Sequence, residues 1–96
     1  MGTEIIKGDL MALHFSRMKD RSGITPVQVS LCKRNNVGQA LAIARRCRAI
    51  LGGNGILLEY PVIRHMLNLE SVYTYEGTHE VHTLVLGLAF TGENAF

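Results

Sequence analysis

Apolar residues at Ile6, Leu10, Leu13 and Met18 recur on a loose helical period and predict a first helix over residues 3–21, which "DRSG" closes at Gly23. Thr25, Pro26 and Gln28 then form a start signal with a mechanism. Thr25 can cap, Pro26 suits the first helical position, and Gln28 can complete a capping box. Behind this signal, Val27, Leu31, Leu41, Ala44, Cys47 and Leu51 share a broad face as far as "LGGNG". That predicts a second helix of about seven turns, slightly weakened by Gly38 and closed by Gly52 or Gly53 in the left-handed conformation. Pro61 opens a shorter third helix through about Leu69, with Val62, Ile63, Met66 and Leu67 on its apolar side. A fourth starts near Thr78, where Val81, Leu84, Val85 and Leu88 follow the i, i+3, i+4, i+7 rule. No strand-like alternation or internal repeat interrupts this pattern, and a helix as long as the second packs along other helices. The expected class is all-α, an antiparallel helical bundle in one small domain over residues 1–96.

Composition changes the picture in one respect. Apolar residues make up 47% of the 96 residues, while charged residues, at 19%, fall below the usual quarter or so. A chain this short buries a modest share of its surface, so some apolar surface is expected to meet a partner. The net charge of +2 is too small to argue for a polyanion ligand. Lys33, Arg34, Arg45, Arg46 and Arg48 read as a solvated helix face. A nucleic-acid binder built on the helix, glycine turn and helix would use the last three of these, but with three Phe, three Tyr and no Trp there is no series of platforms for stacking bases. No stretch approaches the roughly 20 apolar residues of a membrane span, the longest candidate being "LVLGLAF" at 84–90, and the start lacks signal-peptide and myristoylation patterns. Cys32 and Cys47 fall on one predicted helix about 22 Å apart, too far to pair, which fits a reducing compartment.

The residues with candidate chemistry gather in "TYEGTHEVHTL", residues 74–84. Glu76 stands just before the fourth helix, whose free N–H groups carry partial positive charge. It can be a surface charge complementing the helix dipole. Alternatively, an apolar pocket closing over it would raise its pKa and make it a base toward a carbon acid, with Gly77 allowing close approach to the backbone and an N–H polarising a carbonyl. "LGGNG" is open in the same way: it can only terminate a helix, or it can let a dinucleotide lie against bare backbone, although it follows a helix where the dinucleotide fingerprint opens one. His79 and His82 can share a helix face, but no third metal ligand stands at a convincing spacing. Ser16 and Ser71 have no adjacent base.

Taken together, "LGGNGILLEYPVIRHMLNLESVYTYEGTHEVHTLVLG" resembles the carboxy-terminal helical domain of the acyl-CoA dehydrogenases, and within that family the glutaryl-CoA type. "SLCKRNNVGQALAIARRCRAI", the opening residues through "RMKD" and the closing "TGENAF" are similar to it too, so the resemblance covers essentially the whole chain. It implies the later helices of a carboxy-terminal bundle, with the family's amino-terminal helical and middle β-domains absent. By the same resemblance Glu76 in "YEGT" matches the catalytic base, which removes the α-proton of an acyl-CoA thioester while the β-hydrogen leaves as hydride to FAD. Gly77 matches a substrate-contacting position, and the N–H of Glu76 would help hold the thioester carbonyl. Thr78 matches a flavin-contacting residue. Ala49, Ile50, Leu51, Gly52 and Gly53 match the loop that touches the FAD of a neighbouring subunit, and Phe96 lies near FAD as well.

The resemblance further implies a homo-oligomer, electron-transferring flavoprotein as electron acceptor, and decarboxylation when the substrate is glutaryl-CoA. It places the protein in the cytoplasm of a bacterium or the mitochondrial matrix of a eukaryote. The chain by itself is expected to be catalytically silent. Two readings stand beside this one: a non-catalytic helical module that pairs with another chain, and a piece of an acyl-CoA oxidase.

Overall fold

A computed structural model describes all residues, Met1–Phe96, as helices joined by short turns: α1 (Gly2–Arg21), α2 (Pro26–Ile50), α3 (Val62–Thr74) and α4 (His79–Thr91), with a 3₁₀ turn over Gly52–Ile56. α2 begins where its capping signal stands. The Thr25 hydroxyl accepts from the Gln28 amide at 3.3 Å, and the Gln28 side chain accepts from the Thr25 amide at 2.8 Å, closing the box in both directions. Gly38 leaves α2 unbroken, and Gly52 takes φ +59 just past its end, the left-handed residue expected there. α3 departs from the expectation. It runs on to Thr74 instead of stopping near Leu69, because Glu70 and Ser71 continue the hydrogen-bond ladder and the Thr74 hydroxyl donates back to the Glu70 carbonyl at 2.8 Å.

α2 is the spine. α1, α3 and α4 each pack on it, and no other pair of helices makes an extensive contact. α1 folds back along α2 at close range, with the Asn36 side-chain amide donating to the Gly8 carbonyl at 3.0 Å. α3 also returns antiparallel, since Arg45 pairs with Glu70 while Lys33, nearer the start of α2, reaches Tyr75 just past the end of α3. α4 crosses the N-terminal half of α2, where Arg34 Nε donates to the Thr83 hydroxyl at 2.7 Å.

Because each outer helix has a single neighbour, burial is shallow. Only Ser30, Leu41, Gly55 and Leu86 are buried, two of them on α2. Large apolar side chains stay exposed along α1 (Ile5, Ile6, Leu10, Leu13), at the end of α2 (Ile50) and near the carboxy terminus (Phe90). This is more open apolar surface than a self-sufficient small domain leaves. No helix is long and apolar enough to cross a membrane.

Candidate functional site

α3 hands over to α4 through four residues that are not helical. Tyr75 is extended, its amide still tied to the Ser71 carbonyl at 3.0 Å. Glu76 then takes φ +52 and Gly77 φ +89, two consecutive left-handed residues that reverse the chain. Thr78 returns to extended backbone and caps α4, its hydroxyl accepting from the Val81 amide at 3.1 Å. Glu76 is the only non-glycine residue of the protein with positive φ, a conformation that costs an L-residue about 1–2 kcal/mol. Something outside the turn must hold it there.

Lys33 on α2 and His82 on α4 do so. Lys33 Nζ donates to the carbonyls of Tyr75 and Gly77, both at 2.5 Å, and so bridges the two peptide oxygens that flank Glu76. The same ammonium lies 5.8 Å from the centre of the Tyr75 ring. Behind the turn, His82 Nδ1 sits 3.0 Å from the Ser30 hydroxyl, and His82 Nε2 is buried with no partner. A side chain on Gly77 would put its Cβ 2.8 Å from that nitrogen. Gly77 is therefore required twice, by its φ and by the imidazole packed against it.

The Glu76 carboxylate is exposed and makes no hydrogen bond or ion pair within the chain. Thr78, and not Glu76, supplies the side-chain cap of α4. The N–H groups of Glu76, Gly77 and Thr78 also donate to nothing in the chain. The turn thus presents a free carboxylate beside unused backbone donors. It presents no lid: no cavity of this chain is lined by Glu76, so the apolar pocket expected to close over a base is not built from these residues. The two histidines are turned to different uses. His79 stacks on Tyr73 with ring centres 4.5 Å apart, while His82 faces Ser30, and no three metal-ligating side chains cluster anywhere.

The second candidate set lies at the other end of α2. Ala49 and Ile50 are exposed, Leu51 is half-buried, and Gly52 and Gly53 face outward with nothing within 4 Å of where a Cβ would stand. Phe96 is exposed on the tail, its amide held by the Asn94 side chain at 3.0 Å. Lys33 and Ala49 are sixteen residues apart on one helix, about 24 Å at 1.5 Å per residue. The structure brings Glu76, Gly77 and Thr78 together and keeps Ala49–Gly53 apart from them.

Sequence reasoning missed Lys33, Ser30 and His82. Lys33 was grouped with the solvated basic face, which holds for exposed Arg46 and for Arg45 on Glu70. Its register carried a signal, because Ser30, Lys33, Val37 and Leu41 form one stripe at spacings of three and four, and Ser30 and Leu41 are buried. A lysine inside that stripe has to find acceptors in the neighbouring helices or their turns.

Comparison with known proteins agrees with this architecture. The family described as "Acyl-CoA dehydrogenase, C-terminal domain" matches residues 1–89. The crystal structure of a glutaryl-CoA dehydrogenase from Mycobacterium smegmatis in complex with FADH2 is 57% identical, with a TM-score of 0.94, over 98% of this chain and 24% of that one. A second structure of glutaryl-CoA dehydrogenase from the same organism gives 0.92 at the same identity and coverage. The short-chain specific acyl-CoA dehydrogenase of Megasphaera elsdenii is 38% identical over 61 residues, which is 64% of this chain and 16% of that protein. The chain spans about a quarter or less of the length of these relatives. By its sequence and its fold it belongs to the acyl-CoA dehydrogenase family, through that family's C-terminal helical domain.

Proposed function

We propose that this chain supplies the base and part of the flavin-facing surface of an FAD-dependent acyl-CoA dehydrogenase of the glutaryl-CoA type, and that Glu76 is the base. One observation carries the reading: Glu76 is held in a left-handed conformation, exposed and unpaired, beside N–H groups that the chain itself does not use. Strain of this kind persists where surrounding structure over-determines it, as at functional sites.

In the proposed reaction the Glu76 carboxylate takes the α-proton of the acyl thioester. The N–H of Glu76 donates to the thioester carbonyl and stabilises the negative charge that builds there as the proton leaves. Gly77, without a side chain, lets the thioester lie against the backbone. FAD supplies the acceptor for the β-hydrogen, which leaves with its electron pair as a double bond forms between the α and β carbons. With glutaryl-CoA, the unsaturated product would then lose carbon dioxide and take up a proton at its γ carbon to give crotonyl-CoA, and electron-transferring flavoprotein would be the electron acceptor.

The residues present fit FAD in two places. The Thr78 hydroxyl uses a lone pair on the Val81 amide and keeps its proton to donate. Gly52 and Gly53 offer bare, outward backbone, with Ala49 and Ile50 exposed beside them and Leu51 beneath. These sets lie toward different ends of α2 and share no cavity, which supports a homo-oligomer in which Ala49–Gly53 and Phe96 approach the FAD of a neighbour. Exposed apolar faces on α1 and at the end of α2 support the same assembly.

The test is a hybrid in which this chain replaces the aligned quarter of the Mycobacterium smegmatis enzyme. Glutaryl-CoA should bleach the flavin of the hybrid, and Glu76→Gln should slow bleaching about a thousand-fold, the scale of a lost general base. The 96-residue chain mixed with FAD should give no bleaching. Equal bleaching by the hybrid and its Gln variant would remove Glu76 from the chemistry.

A further inference from the structure

The reaction proposed above leaves Lys33 without a role, yet no other side chain in the molecule contacts the Glu76 turn as directly. We infer that Lys33 is a positioning residue: its ammonium, by bridging the carbonyls of Tyr75 and Gly77, fixes the left-handed peptide that aims Glu76. The role rests on Glu76 being the base; the latch itself does not.

Lys33 donates to the residue before Glu76 and to the residue after it, and to no carboxylate, so its contacts define a backbone shape and neutralise no charge. Those two carbonyls meet on one ammonium across a turn in which Glu76 and Gly77 both have positive φ. The ammonium has three donors and no acceptor. Two donors are used on the turn, leaving one. The His82 ring, fixed by Ser30 from the same helix, closes the opposite side at Gly77. A turn gripped from one face and blocked on the other has little freedom, and a base misplaced by even an ångström loses much of its rate. Neither brace would be replaced by a shorter or uncharged side chain at position 33, because hydrogen bonds from an ionised donor are about twice as strong as neutral ones.

The latch can be judged on the full 96-residue chain by NMR. In the unaltered protein the Lys33 ammonium should show couplings across its hydrogen bonds to the carbonyl carbons of Tyr75 and Gly77; absence of both overturns the proposal without any mutation. In Lys33→Met the carbonyl shifts of Tyr75 and Gly77 should move, and the Cα shift of Glu76 should leave its left-handed value. The methyls of Leu41 and Leu86 should stay in place as a check on the fold. An unmoved Glu76 in a folded Lys33→Met also overturns it.

The positioning role is judged on the hybrid enzyme. Lys33→Met should slow flavin reduction about ten- to a hundred-fold, the equivalent of one or two charged hydrogen bonds. The kinetic isotope effect with α-deuterated glutaryl-CoA should rise, with substrate binding unchanged, and Lys33→Arg should restore part of the rate. A purely structural lysine would instead loosen flavin or lower the melting temperature while leaving the isotope effect where it was, and that result overturns the role. If the hybrid with Lys33 intact fails to bleach, the proposed function falls, while the NMR result still decides whether the latch exists.

Discussion

The chain enters α3 through one glycine turn and leaves it through another, and the two are held by different means. At Leu51–Ile56 the turn closes on its own backbone. Leu51, Asn54 and Leu57 donate to the carbonyls of Cys47, Leu51 and Asn54, each at 3.2 Å, and the single left-handed residue is a glycine. At Tyr75–Thr78 the amides of Glu76, Gly77 and Thr78 have no acceptor in the chain, the left-handed pair includes a glutamate, and the Lys33 side chain from α2 supplies the restraint. Similar sequence texture, glycine between helices, therefore hides a difference in kind. The first turn is a self-contained connector whose outer surface is left bare. The second is a strained element maintained by distant residues, with its donors and its carboxylate turned to whatever docks there.

The comparison breaks most sharply at Gly55. This residue is buried, and a Cβ there would stand 2.1 Å from the Arg48 carbonyl oxygen, a backbone atom with no room to give. Gly55→Ala should destabilise the chain by about 3 kcal/mol, at the upper end of ordinary overpacking. For a domain of this size that lowers the melting temperature by roughly 12–24 °C in a thermal scan. The damage should stay at the C-terminal end of α2, so the amide shifts of Tyr75–Thr78 should hold. If they move as well, the two turns are coupled through α2 and the separation drawn above is wrong.

A smaller and opposite pair of changes sharpens it. Gly52 has φ +59 with open space around it, so Gly52→Ala tests conformation without a clash and should cost about 1 kcal/mol. Glu76→Gly relieves the same kind of strain and should stabilise by up to about 1 kcal/mol, less what the more flexible unfolded chain takes back. Denaturant unfolding of both variants measures the two changes on one scale. Equal destabilisation by both would mean that Glu76 is not strained in solution and that nothing is stored at the turn.

Much of this was legible in the sequence, for identifiable reasons. The Thr25, Pro26 and Gln28 cap is local, needing only neighbours three residues apart, and it formed as written. The left-handed stop at Gly52 is local too. The place of Glu76 before α4 followed from the apolar period of Val81, Leu84, Val85 and Leu88. What could not be read was the long-range part. Lys33 and Gly77 are 44 residues apart, and the bond between them depends on how α3 lies on α2. The end of α3 was missed because the apolar pattern stops at Leu69 while the ladder is carried on by Glu70, Ser71 and Thr74, whose polarity says nothing about helix length. Nor could sequence alone show that Ala49–Gly53 and the Glu76 turn lie toward different ends of α2.

The smallest expected effect concerns the two cysteines, one near each turn. Cys32 stands next to Lys33, and burial pushes its thiol above the ordinary value of 9.0 because the thiolate would lose solvation. Its sulfur also lies 3.8 Å from the Asn36 amide, a contact too long and too weak to offset that loss. In the folded chain Cys32 should therefore react with iodoacetamide at pH 8 several-fold more slowly than a free thiol such as glutathione, followed site by site by mass spectrometry. The sign carries over to stability. A thiol whose pKa is raised by folding keeps its proton where the unfolded chain has released it, so its contribution is complete below about pH 9 and is lost as the pH rises beyond. Unfolding midpoints should fall across that window, and Cys32→Ala should flatten part of the fall. A Cys32 that alkylates as fast as glutathione would mean that the Lys33 end of α2 opens readily, and the contrast between a braced turn and a free one would weaken with it.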